Sequence, residues 1–93
     1  DRRAAAAIAK KLEDPADEVR IQSVKALGKI AAKETLPDIA ACLNDPNWWV
    51  RFRAAGALYA FGDSGAALLK TISQQNDAAG NMAREYLAEK EGL

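Results

Sequence analysis

The chain has no histidine and a single cysteine, Cys42, among its 93 residues. The first absence removes Ser–His–Asp and Cys–His chemistry, because no imidazole is there to take a nucleophile's proton. The second removes an internal disulfide and any multi-cysteine zinc site. Net charge is also missing, since thirteen basic residues balance thirteen acidic ones. That speaks against nucleic acid as a partner, whose binding rests on neutralising phosphates, and against a polybasic membrane-surface module. No run of about 18 apolar residues is present to span a bilayer, and Ala4 to Ala9 is too short and small-sided for the core of a secretory signal. Neither a Gly-rich phosphate loop nor metal-ligand spacing occurs. The expectation is therefore a non-enzyme with no cofactor and no metal. A lone thiol fits a reducing compartment, and the expected location is the cytoplasm. Glu13, Asp14, Asp17 and Glu18 cluster locally, but turn and helix-start chemistry accounts for them.

What is present is 49% apolar and 28% charged, the balance of a globular domain. Residues 1–93 read as a single domain. The chain opens at Asp1 without a methionine, so it reads as a piece of a longer protein. An offset of 31 residues carries Leu12-Glu-Asp-Pro-Ala-Asp-Glu-Val-Arg20 onto Leu43-Asn-Asp-Pro-Asn-Trp-Trp-Val-Arg51. The same offset takes Ile8 to Ile39, Ala26 to Ala57, Leu27 to Leu58 and Ile30 to Phe61. Such self-similarity marks a repeat protein, with units of about 1–31, 32–62 and 63–93.

Each unit reads as two helices. Ala5, Ile8, Ala9 and Leu12 have i, i+3, i+4, i+7 spacing over Arg2 to Glu13. Asp14 and Pro15 form the turn, and a second helix runs from Ala16 to about Ala31 with Val19, Ser23, Ala26, Leu27 and Ile30 as its apolar stripe. Thr35 is the expected cap of the third helix, with Asp38 as its capping-box partner and a stripe of Leu36, Ile39, Ala40 and Leu43. The fourth, Asn47 to Gly62, is capped by Asn47 and closed by Gly62 in the left-handed position. In the third unit Gly62-Asp-Ser-Gly65 shortens the connection and the offset falls to 29. Asn76, or Asp77 beside it, caps a last helix reaching about Lys90, in which Met82, Tyr86 and Leu87 pack.

The spacing from Pro37 to Asp45 and on to Val50-Arg51 resembles the HEAT repeat, in the short form also seen in phycobilin-lyase-like proteins. The first unit keeps Asp14 and Val19-Arg20 but has Ala6 at the proline position. The third has Ala66, Gln74 and Gly80 at the proline, aspartate and arginine positions. The resemblance implies an all-α, right-handed α-solenoid of three helix pairs, six antiparallel helices with the last pair degenerate. It implies that first helices lie on the convex side, Cys42 with them, and second helices on the concave side. It also implies that Asp14, Arg20, Asp45 and Arg51 form a structural ladder between units, and that the protein is a non-catalytic binding scaffold. The Asn-Trp-Trp-Val-Arg end is similar to bacterial HEAT proteins that accompany membrane or glycosyl-transfer machinery.

The fourth helix has almost no polar side. Val50, Ala54, Ala57, Leu58 and Phe61 form its core stripe, and Trp48, Phe52, Ala55 and Tyr59 are expected to seal the junctions to neighbouring units. The polar face of the second helix, Glu18, Gln22, Lys25 and Lys29, becomes Trp49, Arg53, Gly56 and Ala60 under the offset of 31. Glycine inside a helix costs about 0.5–1 kcal/mol against alanine, so something should approach the backbone at Gly56. A tryptophan wall, an arginine rim and a Gly/Ala floor suit an apolar segment laid in a groove. Trp49, Arg53, Gly56 and Ala60 are the candidate partner-binding residues, for a protein or peptide segment or for a second copy of the chain. The alternative is an accessory part of an enzyme, holding a hydrophobic ligand. DNA binding ranks third, because Glu18 and Gln22 interrupt the lysines.

Overall fold

A computed structural model describes residues 2–92, and all regular structure in it is helical. The elements are α1 (Arg2–Lys10), α2 (Asp17–Ile30), α3 (Leu36–Ala41), α4 (Trp48–Ala60), α5 (Asp63–Ile72) and α6 (Ala78–Glu91). α1 and α3 each end in a 3-10 turn, Lys11–Glu13 and Cys42–Asn44, and a further 3-10 turn at Lys33–Thr35 leads into α3. Proline dictates where the first two hairpins fold over. A residue before proline is pushed out of the helical region, and Asp14 and Asp45 accordingly sit at ψ 140° and 142°. Each carboxylate then accepts the backbone N–H two residues on, from Ala16 and from Asn47, both at 2.9 Å.

The chain forms three hairpins, α1–α2, α3–α4 and α5–α6, with α4 packed between α2 and α6. Val24 and Leu27 of α2, Ile39 and Leu43 around α3, Val50, Ala54 and Leu58 of α4, Leu69 of α5 and Ala83 of α6 are fully buried. The core stripe expected on α4 is thus in place, save that Phe61 is only half-buried. On α2 the pattern differs. Val24 is fully buried, whereas Val19, Ala26 and Ile30 are half-buried, because no element among the described residues covers one side of this first hairpin.

Three local expectations are corrected and one open alternative is decided. Thr35 does occupy the N-cap position of α3, but its side chain makes no capping bond: the hydroxyl donates instead to the carbonyl of Ala32 at 2.6 Å. Gly62 has positive φ but ψ of −145°, so it is not a left-handed C′ residue; it is the N-cap position of α5. Gly62–Gly65 is not a connection, because α5 starts at Asp63 and contains Gly65. Asp77, not Asn76, caps α6, its carboxylate accepting from the N–H of Gly80 at 2.8 Å.

Cys42 is buried beneath the first-helix side, 7% exposed, its thiol near the carbonyl of Asp38. Burial pushes the thiol up from 9.0 to about 11, helped by the carboxylates of Asp45 and Asp38. That leaves about a hundredfold less thiolate at a given pH. Disulfide reagents should therefore label native Cys42 at least about a hundred times more slowly than the denatured chain at pH 8. Because the folded pKa is raised for a group whose charged form is the anion, stability is unaffected below pH 9 and falls between about 9 and 11. A Cys42→Ser variant measured beside the parent should lack that alkaline loss.

Candidate functional site

The Asn47 side chain starts α4 by accepting from the N–H groups of Trp49 (2.8 Å) and Val50 (3.3 Å). Trp48 and Trp49 are therefore the first two residues of the helix. Helical side chains lean toward the N-terminus, and at the first turn no earlier turn lies there to cover them. Trp48 is 43% and Trp49 55% exposed. Trp48 stacks on Phe52, one turn on, with ring centroids 5.1 Å apart and planes 8° from parallel. Trp49 stands edge-on to both rings, at 4.9 and 6.1 Å. Phe52 meets Tyr86 of α6 at 5.7 Å, and Tyr86 meets Tyr59 at 5.9 Å. The result is a continuous aromatic seam along the joint between α4 and α6.

This corrects the expectation that Trp48 is sealed into a junction, although Ala55 is fully buried and Phe52 and Tyr59 are half-buried. Trp48 stacks on the seam but keeps one face in water. Gly56 also has a different neighbour. A Cβ built there would lie 3.3 Å from the Tyr86 hydroxyl, so the group approaching this backbone belongs to the chain itself. Sequence reasoning missed Tyr86, placing it only in last-helix packing. The available signal was a large residue in α6 paired with a vanished side chain on α4.

Beside the seam runs a shallow groove of about 280 Å³. Gly28, Gly56, Ala57 and Ala60 form its floor, Phe52 and Tyr86 one wall, and Lys25, Lys29 and Arg53 its rim. Arg53, Gly56 and Ala60 thus come together, while Trp49 stands at the head of the same helical row without lining the groove. No carboxylate lines it, and Lys25, Lys29 and Arg53 make no ion pair among the described residues. Across the seam the character reverses. A second cleft, of about 440 Å³, lies between Trp48, Phe52, Met82 and Tyr86; Glu85 and Glu89 edge it together with Lys90, whose ammonium stands 5.6 Å from the Tyr86 ring centre, so carboxylates outnumber cations there.

The ladder residues lie away from this surface. Arg20 holds Asp45 with two bonds, Nε to Oδ2 at 2.7 Å and Nη2 to Oδ1 at 3.1 Å. Its Nη1 donates to the carbonyls of Asp14 and Pro15. The bonds to Asp45 hold the guanidinium above its ordinary pKa. Arg51 repeats the backbone half of this arrangement on Asp45 and Pro46, but with Gln74 at the next aspartate position it has no carboxylate partner among the described residues. In the third hairpin Arg84 reaches back to the carbonyls of Ser73 and Gln75. Gly80 stands at the matched position, and Arg84 lies one helical turn later on the same face. Matching by offset alone overlooked it.

Three helix hairpins stacked through their second helices, with an arginine–aspartate tie in the turns, define an α-helical repeat protein. The family model for HEAT repeats matches residues 3–88, and the chain belongs to the HEAT repeat family. Members of that family generally serve as non-catalytic scaffolds that bind other proteins. No curated protein and no solved structure matches the chain. Among the described residues no helix is long and apolar enough to cross a membrane.

Proposed function

We propose that this protein binds a protein partner through the seam and groove of α4, and that the partner presents an acidic segment with apolar side chains. The observation that carries this is the half-exposed Trp49 at the head of the helical row that floors an apolar groove, whose rim holds three cations and no carboxylate. Large aromatics anchor interfaces because they bury much area for little lost side-chain freedom. Unpaired cations at a rim select an oppositely charged partner and speed its approach. An accessory role around a hydrophobic small molecule draws less support, since the groove's polar groups are long, flexible side chains at the edge rather than convergent donors and acceptors inside.

Two synthetic helical peptides, one with leucine and glutamate and one with leucine and lysine, test the proposal by backbone amide shifts and tryptophan emission. The acidic peptide should perturb α2 and α4 and alter indole emission; the basic peptide should not. Arg53→Glu should weaken the acidic peptide by about tenfold, as loss and reversal of one rim charge. Trp49→Ser should abolish binding while leaving the melting temperature within a few degrees, as an exposed substitution does. Equal binding of both peptides, or a Trp49→Ser variant that no longer folds, would remove the site.

A further inference from the structure

The first hairpin has a free edge, and the internal repeat shows what that edge is for. Ile8, Val19, Ser23 and Ala26 line an open groove of about 360 Å³ on the side away from α4, with Lys11, Glu18 and Gln22 around them. Shifted by 31 residues, the four become Ile39, Val50, Ala54 and Ala57. In the middle hairpin the first three of these are fully buried and Ala57 nearly so, at the joint with the first hairpin. In the first hairpin Ile8, Val19 and Ala26 remain half-buried, and only Ser23, its hydroxyl turned back onto the carbonyl of Val19, is already buried. The same positions are thus a finished joint in one unit and an open one in the other.

A second, polar observation agrees. At the finished joint the Asp45 carboxylate accepts a backbone N–H and, in addition, both arms of Arg20 from the preceding unit. Asp14 occupies the identical place, with the same extended backbone and the same N–H bond from Ala16, but no cation reaches its carboxylate among the described residues. We infer that this edge is half of an interface, shaped to receive one more helix hairpin of the same repeat that lays an arginine over Asp14. The inference rests on continuity with the α2–α4 joint and is independent of the groove on α4. One element of that joint is absent. Asn47 donates to Asp17 of the preceding unit at 2.7 Å, whereas Ala16 stands at the matching position, so the incoming hairpin would meet one polar tie instead of two.

The test joins a second copy of residues 32–62 in front of residue 1, which keeps the 31-residue register and brings the added arginine opposite Asp14. The extended protein should melt higher than the parent in one transition, with α1 and α2 amides better protected from exchange. Asp14→Asn preserves the acceptor for the Ala16 N–H and removes only the charge. It should lower the melting temperature of the extended protein and leave that of the parent nearly unchanged. Val19→Glu gives a second reading: tolerated in the parent, where the half-buried side chain borders an open groove, and disruptive in the extended protein. An added hairpin that leaves the melting temperature unchanged and stays open to protease, or variants that act equally in both proteins, would overturn the inference.

Discussion

Gly65→Ala should be, with Gly80→Ala, one of the two most damaging single-methyl additions in the chain, since a Cβ at Gly80 would also lie 1.9 Å from a backbone oxygen, that of Gln75. A Cβ at Gly65 would lie 1.8 Å from the carbonyl oxygen of Leu58 and 2.7 Å from Cβ of Phe61. Neither obstacle is the end of a flexible side chain, so α5 must move away from α4, and Leu69 and Ile72 on α5 would lose part of their cover. Overpacking costs about 1–3 kcal/mol where neighbours can yield. Against an unyielding backbone the expected loss is about 3–4 kcal/mol, a large part of a small domain's stability. Urea unfolding followed by far-ultraviolet circular dichroism should show the midpoint fall, with a separate early phase if the third hairpin detaches by itself. Gly62→Ala is the control. Its Cβ would meet nothing within 4 Å, so the expected loss comes only from φ of +84° and amounts to about 1–3 kcal/mol. A Gly65→Ala protein as stable as its parent would mean that the two helices are not in such close contact.

Arg20→Ala should give the largest polar loss. Its guanidinium has only 13% of its side-chain surface exposed, and the Asp45 carboxylate 8%. Removing the arginine leaves a nearly buried carboxylate without its cation and frees the carbonyls of Asp14 and Pro15, whereas a surface pair is replaced by water at little cost. Arg51→Ala removes only the bonds to the Asp45 and Pro46 carbonyls. The expected order is therefore a drop of several degrees in melting temperature for Arg20→Ala and a clearly smaller one for Arg51→Ala. Arg20→Lys should not rescue, since an ammonium cannot span both carboxylate oxygens while also holding two carbonyls. Added salt should change the difference little, because the pair is shielded from solvent. Equal losses for the two arginines would show that the backbone contacts, not the carboxylate, carry the tie.

The hairpin plan was legible because its signals are local and repeated. Asp-Pro at 14–15 and again at 45–46 marks both turns, and the apolar spacing assigns the buried face of α4 correctly at Val50, Ala54 and Leu58. Periodicity gives a residue's angle about its own helix, however, and not which neighbour stands opposite. The Gly56 backbone was expected to receive a partner and instead faces Tyr86, thirty residues away in sequence. Trp48 has the angular position of a junction residue but sits in the first turn, where there is little to bury it. The third unit was hardest to read because its turn has neither Asp-Pro nor a constant offset. There Arg84 takes over a turn later, and Gly65 lies inside a helix where the composition suggests a loop.

The two joints of this stack are fastened by different means. Between α2 and α4 a bidentate ion pair fixes both distance and angle, and because Asp45 also holds the turn before α4, the start of that helix and its seating on α2 are a single event. Between α4 and α6 the corresponding carboxylate is gone and the faces meet through rings, Phe52 on Tyr86 and Tyr86 on Tyr59, tethered at the far end by the Tyr59 hydroxyl and Lys70 on Glu91. Rings in tilted contact hold through area and tolerate small changes of angle. One joint is thus fixed by a directional polar tie and the other by packed area, and the second lies directly under the proposed binding surface. A partner gripping Trp48 and Tyr86 together would lock the third hairpin at one angle to the other two, so that occupancy would be read out as stiffness.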